Sequence, residues 1–318
     1  MPLTPAVAAL IAQAAAAGRP ALSAGTPDEA RALLAAGRVA LGRGPDLFRV
    51  EDLSVETRSG ALPARLYVPG PDPAGLVLYL HGGGWVLGTI AEFDAAARLL
   101  AHRSGLAVLL PEYRLAPEHP FPCAVEDAVD CLDWAHRRAG GLVGPGRPLV
   151  IAGDSAGANL ATVAAAERAG RVSLARQVLI YPVTDCDFER PSYRDPENAG
   201  LITRRDMLWF FDHYAGERER ADPRISPMRR ADLAGLPPAH VATAEYDVLR
   251  DEGEAYAHRL AEAGVPTTLT RHAGLPHGFV RLFNLVPEAD RAMTEIAAAL
   301  AGRGDGWPLA NPAREATP

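Results

Sequence analysis

The sequence predicts an α/β fold in which a mostly parallel sheet is covered by helices on both faces. From about residue 75 to residue 300, short apolar segments alternate with longer amphipathic ones, which is typical of repeated strand–helix units. Several of these short segments are continuously apolar, as parallel strands buried on both faces require. A chain of 318 residues that is 48% hydrophobic and 22% charged can bury the core of such a domain.

The first 45 residues predict two helices. Val7, Leu10 and Ile11 follow helical spacing, and the segment lacks the positively charged start of a secretory signal. The second helix opens with Thr26-Pro27-Asp28-Glu29, which predicts a capping box. Residues 48–68 then alternate with period two around a Ser59-Gly60 turn, which predicts an antiparallel hairpin.

Strands and helices alternate after the hairpin. The predicted strands cover 75–81, 106–110, 149–152, 176–181, 239–244 and 267–271, and the predicted helices cover 93–104, 123–139, 159–168, 204–215, 251–263 and 288–301. Residues 185–230 interrupt this alternation with a polar, proline-containing insertion that holds one helix, and an insertion of this length indicates a covering element. It divides the core into residues 46–184 and 231–302, and a Gly-, Pro- and Ala-rich tail over 303–318 is predicted to be disordered.

Two glycine-containing motifs at strand ends indicate acyl-transfer chemistry. Gly153 to Gly157 reads G-x-S-x-G between a predicted strand and helix, which is the context of a nucleophile elbow at Ser155. Upstream, His81-Gly82-Gly83-Gly84-Trp85 ends another apolar run. The N–H groups of Gly83, Gly84 and Ala156 are predicted to form an oxyanion hole, where losing one donor costs about 3–4 kcal/mol. The spacing is not G-x-G-x-x-G and no lysine follows, which disfavours a nucleotide loop.

An activated serine needs a base, and the base needs an orienting acid. Where this elbow occurs, the acid and then the histidine follow the serine along the chain. Only His272 and His277 follow Ser155 near the end of a late strand, and His277 is favoured because it lies in the loop Gly274–Phe279. Asp247, just past a strand, is favoured as the acid, and Asp251, at a helix start, is the reserve. The other histidines precede the serine, lie on helices or start a strand: His81, His102, His119, His136, His213, His240 and His258.

Composition indicates which binding partners, cofactors and cellular compartment to expect. The net charge is −7, and all 32 basic residues are arginine, so neither a nucleic acid nor an anionic membrane is an expected partner. The sequence lacks H-x-x-x-H, H-x-H and Cys/His clusters, so no metal and no other cofactor is expected. The three cysteines, Cys123, Cys131 and Cys186, cannot all pair, which favours a reducing compartment, the cytoplasm. No apolar run is long enough to span a bilayer.

Five motifs together resemble the hormone-sensitive-lipase family of α/β-hydrolases, the bacterial family IV esterases. They are HGGGW at 81–85, YRLAPEHPFP at 113–122, GDSAGAN at 153–159, DVLRDEG at 247–253 and HGF at 277–279, in the family's order. The resemblance covers roughly residues 47–300 and implies the α/β-hydrolase fold, with an eight-stranded sheet and a helical cap built from residues 1–45 and 185–230. It implies the triad Ser155, Asp247 and His277 and the same three oxyanion donors, and it is compatible with a homodimer formed through the last strand or helix. Val248 departs from the family, where many relatives have proline.

The leading functional hypothesis is a cofactor-independent serine carboxylesterase. It would act on small esters with short or medium acyl chains through an acyl-enzyme. Trp85, Trp209 and Phe210 are expected to line the substrate pocket, although part of this aromatic set belongs to the core. Two alternatives stay open: an arylformamidase- or deacetylase-like amide hydrolase that uses the same triad, and a non-catalytic small-molecule receptor, against which the intact Ser, Asp and His argue.

Overall fold

The computed structural model describes residues 2–198, 200–217, 219–303 and 307–308. The strands are β1 Arg49–Thr57, β2 Gly60–Val68, β3 Leu76–Leu80, β4 Ala107–Pro111, β5 Leu149–Asp154, β6 Arg176–Ile180, β7 Ala239–Tyr246, β8 Thr267–Pro276 and the two-residue β9 Trp307–Pro308. The helices are α1 Pro5–Ala16, α2 Pro27–Leu41, α3 Ile90–Ser104, α4 Cys123–Val143, α5 Ala156–Glu167, α6 Pro191–Arg194, α7 Arg204–Tyr214, α8 Arg250–Glu262 and α9 Pro287–Leu300.

All of these strands form one sheet in the order β1-β2-β4-β3-β5-β6-β7-β8-β9. The six central strands β4, β3, β5, β6, β7 and β8, given in their order in the sheet, run parallel. The hairpin β1–β2 joins β4 through an antiparallel pairing. The predicted α/β fold with a mostly parallel sheet is therefore confirmed, with eight longer strands and the short β9 beside β8.

Alternate residues of the central strands enter different cores. Leu78 and Ile151 belong to one core, which is covered by α4, α5 and α8, whereas Val77 and Val150 belong to the other, covered by α3 and α9. Helices on both faces explain why these strands carry continuous apolar runs. This arrangement places the carboxyl ends of β3, β5, β7 and β8 along one edge of the sheet, where the predicted site residues follow them.

The N-terminal segment contacts the insertion directly. The predicted capping box is present, since Thr26 and Glu29 exchange hydrogen bonds at the start of α2. The backbone N–H of Ser23 donates to the carboxylate of Asp206 in α7 at 2.9 Å. Residues 1–45 and 185–230 therefore meet through a direct hydrogen bond, as two parts of a cap would.

Element boundaries differ from the predictions mainly at the ends. Helix α3 starts three residues earlier than predicted, α4 continues to Val143, and β8 continues past Arg271 to Pro276. Strand β8 is longer because its pairing with β7 resumes after a bulge, where Tyr246 lies opposite Pro276. Of the predicted tail 303–318, only Arg303 and Trp307–Pro308 lie within the described residues.

Two further observations bear on partner and location. The three cysteines are unpaired. Among the described residues, no helix combines the length and the apolar character needed to cross a membrane.

Candidate active site

Ser155 lies on a strained turn between β5 and α5. Its backbone has φ of +54° and ψ of −121°, an unusual conformation for a residue with a side chain. The two motif glycines are required by close backbone contacts, because a Cβ at Gly157 would collide with the carbonyl of Leu80, and one at Gly153 would collide with the backbone of Gly157. The turn thus presents the serine hydroxyl at the start of a helix.

The structure links Ser155, His277 and Asp247 in one hydrogen-bonded chain. The Nε2 atom of His277 lies 3.1 Å from the hydroxyl oxygen of Ser155, and its Nδ1 atom lies 2.8 Å from Oδ2 of Asp247. Asp247 is fully buried, and the residues Ser155 and His277 are only 5% and 7% exposed. This geometry lets the imidazole take the serine proton while the carboxylate fixes its tautomer.

The immediate surroundings hold the acid and the base in place. The second carboxylate oxygen of Asp247 accepts a hydrogen bond from the N–H of Leu249 at 2.9 Å. The ring of Tyr181 lies 4.5 Å from that of His277, centroid to centroid. Gly278 has φ of +77°, a conformation that glycine adopts without strain, and it turns the chain directly after the histidine.

The two reserve residues lie elsewhere. His272 is within β8, where its Nδ1 atom is 3.6 Å from Glu295, and burial lowers the pKa of its imidazole to about 4. Asp251 accepts a hydrogen bond from the N–H of Ser192 at 2.8 Å, so it binds the insertion rather than the imidazole. The structure therefore brings Asp247 and His277 to the serine.

Two amides in the loop after β3 have no hydrogen-bond acceptor among the described residues. Gly83 has φ of +120° and Gly84 has φ of +60°, and the carbonyl of Gly83 accepts from the N–H groups of Val86 and Leu87. Within the described part of the chain, the N–H groups of Gly83 and Gly84 donate to no other protein group. They are therefore free for an oxyanion, and the first amide of α5, that of Ala156, adds the positive end of a helix.

Buried aromatic residues support this loop from behind. The ring of His81 is stacked between Phe93 and Tyr113, at centroid distances of 5.1 and 4.4 Å. Its Nδ1 atom lies 2.8 Å from the carbonyl oxygen of Gly82, and burial lowers its pKa to about 4, so the ring is neutral at pH 7. His81 therefore supports the loop as an uncharged group.

Helix α7 of the insertion covers the loop. The ring of Phe210 packs directly against Gly84, where it leaves no space for a Cβ. Trp209 is partly exposed and lies edge-on to Phe210, at 5.2 Å. Trp85 is fully buried and stacks on Tyr214 at 4.3 Å, so it lies behind the loop, between core and cap. The pocket role of Trp85, Trp209 and Phe210 stays a prediction.

Three buried polar residues connect the site to its surroundings, and sequence reasoning gave none of them a definite role. Asn159 of α5 donates to the carbonyl of Val183, just before the insertion, and to that of Ile225, near the end of the insertion. Glu252 accepts from the N–H of Thr184, and Asp154 accepts from that of Gly82. Each lies in a recognised motif, which is the only sequence signal available, since the partners are distant along the chain.

The described residues contain no group of three or more His, Cys, Asp or Glu side chains that could hold a metal ion.

Comparisons with known proteins identify the family. A family model described as an alpha/beta hydrolase fold matches residues 77–281. The carboxylic ester hydrolase LipN of Mycobacterium tuberculosis is 41% identical over 79% of this chain and 69% of its own length. The ethyl acetate hydrolase of Pseudomonas putida is 38% identical over 86% of this chain and 87% of its own.

A solved structure agrees with these relatives. The hyperthermophilic esterase of the archaeon Pyrobaculum calidifontis superposes with a TM-score of 0.89 at 38% identity, over 95% of this chain and 99% of its own. The resemblance predicted from five motifs is thus confirmed over nearly the whole chain. This chain belongs to the hormone-sensitive-lipase family of α/β-hydrolases and is a carboxylic ester hydrolase.

Proposed function

We propose that the enzyme hydrolyses small carboxylic esters in two steps, with Ser155 as nucleophile, His277 as general base and acid, and Asp247 as the orienting acid. The observation that carries this proposal is the continuous chain of short contacts from the serine hydroxyl through the imidazole to the buried carboxylate. No cofactor enters the proposed reaction.

In the first step, the serine oxygen attacks the ester carbonyl carbon while its proton passes to Nε2 of His277. The carbonyl oxygen becomes an oxyanion, which accepts hydrogen bonds from the N–H groups of Gly83, Gly84 and Ala156. The C–O bond to the alcohol then breaks, and the imidazolium gives its proton to the departing alkoxide. An acyl-enzyme on Ser155 remains.

In the second step, a water molecule replaces the alcohol. His277 takes a proton from this water as the oxygen attacks the acyl carbon, and the same donors stabilise the second oxyanion. Collapse of this intermediate breaks the bond to the serine oxygen, which recovers its proton from the imidazolium, and releases the carboxylic acid. Asp247 stabilises the imidazolium in both steps without taking the proton itself.

Short and medium acyl chains are the substrates that we infer. Phe210 lies directly against Gly84, and Trp209 adjoins Phe210, so apolar surface borders the position of the reacting carbonyl. A relative named for ethyl acetate also supports small esters. LipN and the ethyl acetate hydrolase are both named for esters, which favours ester over amide or formamide cleavage. The linked triad disfavours a receptor without catalysis.

Variants of the triad test the proposal with p-nitrophenyl butyrate. We expect Ser155→Ala and His277→Ala to lower kcat by about 10⁴-fold or more, as removal of triad members does elsewhere. His272→Ala is the matched control, and it should keep most activity because its ring makes no contact with the serine. Turnover retained by Ser155→Ala, or a reversal between the two histidine variants, would refute the assignment.

A chain-length series of p-nitrophenyl esters, run beside N-formylkynurenine and an acetamide, tests the substrate class. We expect the highest kcat/KM among the C2 to C8 esters. Faster cleavage of the formamide would transfer the proposal to amide hydrolysis, and failure of the wild-type protein to react with a fluorophosphonate would revive the receptor hypothesis.

We also infer a cytoplasmic location and a homodimer. The unpaired cysteines suit a reducing compartment, and the family resemblance is compatible with dimerisation through the last strand or helix. Cell fractionation and light scattering on the purified chain test these two inferences.

A further inference from the structure

Asp154, the residue before the nucleophile, is a buried carboxylate that the two-step mechanism does not use. Its side chain ends β5 and is 4% exposed. One oxygen, Oδ1, accepts hydrogen bonds from the N–H of Gly82 at 2.9 Å and from the hydroxyl of Tyr79 at 2.8 Å. The other, Oδ2, accepts a longer one from the hydroxyl of Tyr181 at 3.4 Å. The carboxylate therefore joins β5 to two other segments, the end of β3 with its loop and the residue after β6.

The hydrogen bond to Gly82 determines where the oxyanion donors lie. Gly82 immediately precedes Gly83 and Gly84, whose amides are free, so it is the hinge between β3 and the donors. A Cβ at Gly82 would collide with the carboxylate, which shows how closely loop and carboxylate approach. Because Asp154 and Ser155 are consecutive, the same short stretch of backbone locates the nucleophile and the loop.

The second carboxylate oxygen of Asp154, Oδ2, is connected to the base His277 through Tyr181. Tyr181 has φ of +35° and its ring lies 4.5 Å from the ring of His277. A hydrogen bond from its hydroxyl to Asp154 helps to hold the far end of this side chain in place. The carboxylate thus contacts groups that adjoin both the oxyanion donors and the imidazole.

Burying a carboxylate costs more free energy than burying an apolar side chain, so packing alone does not account for an aspartate at position 154. Removing it from water raises its pKa to about 6, although the hydrogen bonds from Tyr79 and Gly82 and the charges of His277 and Arg281 favour the ionised form. An ionised acceptor also binds an amide more strongly than a neutral acceptor does. A strong hydrogen bond between the Gly82 amide and the Asp154 carboxylate would hold the oxyanion loop in a fixed position.

We propose that Asp154 is a positioning residue, which holds the oxyanion loop at a fixed distance from Ser155 through the amide of Gly82. The proposal rests on the proposed esterase function, and it adds a residue that acts through the loop rather than on the substrate. If the hydrogen bond between Asp154 and Gly82 is lost, the enzyme should bind the transition state more weakly, with less effect on its binding of the substrate.

Asp154→Ala removes the anchor, and Asp154→Asn keeps a neutral acceptor for the Gly82 amide. With p-nitrophenyl butyrate, we expect Asp154→Ala to lower kcat about 10- to 100-fold with KM changed less than threefold, which is below the 10²–10³-fold loss for deleting a donor outright. Asp154→Asn should recover part of this loss. Tyr79→Phe is the matched control, because it removes a hydrogen bond from the same oxygen but leaves the Gly82 contact, and its kcat should stay within threefold of wild type.

A second readout separates positioning from general destabilisation. A trifluoromethyl ketone, which forms an oxyanion on the serine, should lose affinity in both Asp154 variants by about the same factor as kcat. A methyl ketone of the same shape, bound as a ground-state analogue, should not. If Asp154→Ala does not fold, Asp154→Asn alone tests the proposal. We then expect this variant to lose about 5- to 10-fold in affinity for the trifluoromethyl ketone and none for the methyl ketone.

Equal loss of both ketones, or wild-type kinetics in the Asp154 variants, would overturn the proposal. A kcat for Tyr79→Phe as low as that of Asp154→Ala would also overturn it. These results differ from failure of the esterase function, in which the wild-type protein or Ser155→Ala would behave unexpectedly whatever residue stands at 154.

Discussion

Glu252 offers a sharp test of how this fold accommodates a buried acid. The side chain is fully buried at the start of α8. Its Oε1 atom accepts hydrogen bonds from the N–H groups of Thr184 and Asp185 at 2.7 and 3.3 Å, and its Oε2 atom accepts one from the hydroxyl of Tyr193 at 3.1 Å. Burial raises the pKa of the carboxyl group from 4.5 to about 8, and the nearby charge of Asp185 acts in the same direction.

The sign of the pH dependence follows from this raised pKa. At pH 5 to 8 the folded chain keeps Glu252 protonated, whereas the unfolded chain releases the proton above about 4.5. The contribution to stability is therefore complete below pH 4.5, declines as the pH rises, and is lost once the pH passes about 8. At about 1.4 kcal/mol per pH unit, this interval corresponds to a decline of about 5 kcal/mol in the free energy of unfolding.

Glu252→Gln imitates the protonated side chain. The amide oxygen can accept from Thr184 and Asp185, and the amide nitrogen can donate to the Tyr193 oxygen. We expect the variant to match the wild-type protein near pH 5 and to be more stable by several kcal/mol at pH 8. Because total stabilities are about 5–15 kcal/mol, urea denaturation at pH 5 to 9 resolves such a difference.

The comparison of variant with wild type isolates one group, since other titrating residues affect both proteins alike. Glu254→Gln on the same helix is the control: its carboxylate pairs with the half-exposed Arg271, so the variant should lose less than about 1 kcal/mol with little change in pH slope. Parallel pH profiles for the wild-type protein and Glu252→Gln would refute the reasoning, because they would mean that Glu252 is ionised in the folded state.

Three further substitutions test other parts of the site. Gly84→Ala should lower kcat about 100-fold or more, because the new Cβ meets the ring of Phe210 at a φ of +60°, whereas Gly146→Ala, at a φ of +73° with open space around it, should leave kcat on p-nitrophenyl butyrate unchanged. Asn159→Ala leaves two buried carbonyls unpaired, so urea denaturation should show a free energy of unfolding lower by about 2–4 kcal/mol. Asp247→Asn should keep the fold by circular dichroism and lower kcat by about 10³–10⁴-fold through the wrong imidazole tautomer. Near-normal kcat in Gly84→Ala or Asp247→Asn would contradict the roles of those two residues, and unchanged stability in Asn159→Ala would contradict the role of the asparagine.

The central strands could be predicted because each is a short apolar run that ends at a polar residue or at a proline. The predicted end of β8 is too early, since the predicted strand stops at Arg271 whereas the pairing with β7 continues to Pro276. The consequence for the site is direct. With the strand ending at Pro276, His277 is the first residue beyond it, and His272 is a strand residue whose ring lies 5.2 Å from that of Phe279.

The serine, acid and base were accessible to sequence reasoning because their order along the chain is fixed by the order of strands in this fold. No such rule applies to Asp154 or Glu252. The hydrogen-bond partners of Asp154 are 72, 75 and 27 residues away, and those of Glu252 are 68, 67 and 59 residues away. Only packing of the strands and the insertion brings them together, so a motif can mark these residues without revealing their partners.

The triad and the insertion that covers it are held in place by different parts of the structure. The reacting groups are fixed by strand ends and by backbone contacts that exclude even a methyl group at Gly157. The insertion, in contrast, is held near its two ends. Asn159 binds the carbonyls of Val183 and Ile225, and Glu252 binds the amides of Thr184 and Asp185. Helix α7 of the insertion contacts the loop after β3 through Phe210, which packs against Gly84. We therefore predict that changes within α7 alter which acyl groups fit, while the distances within the triad depend on elements that α7 does not build.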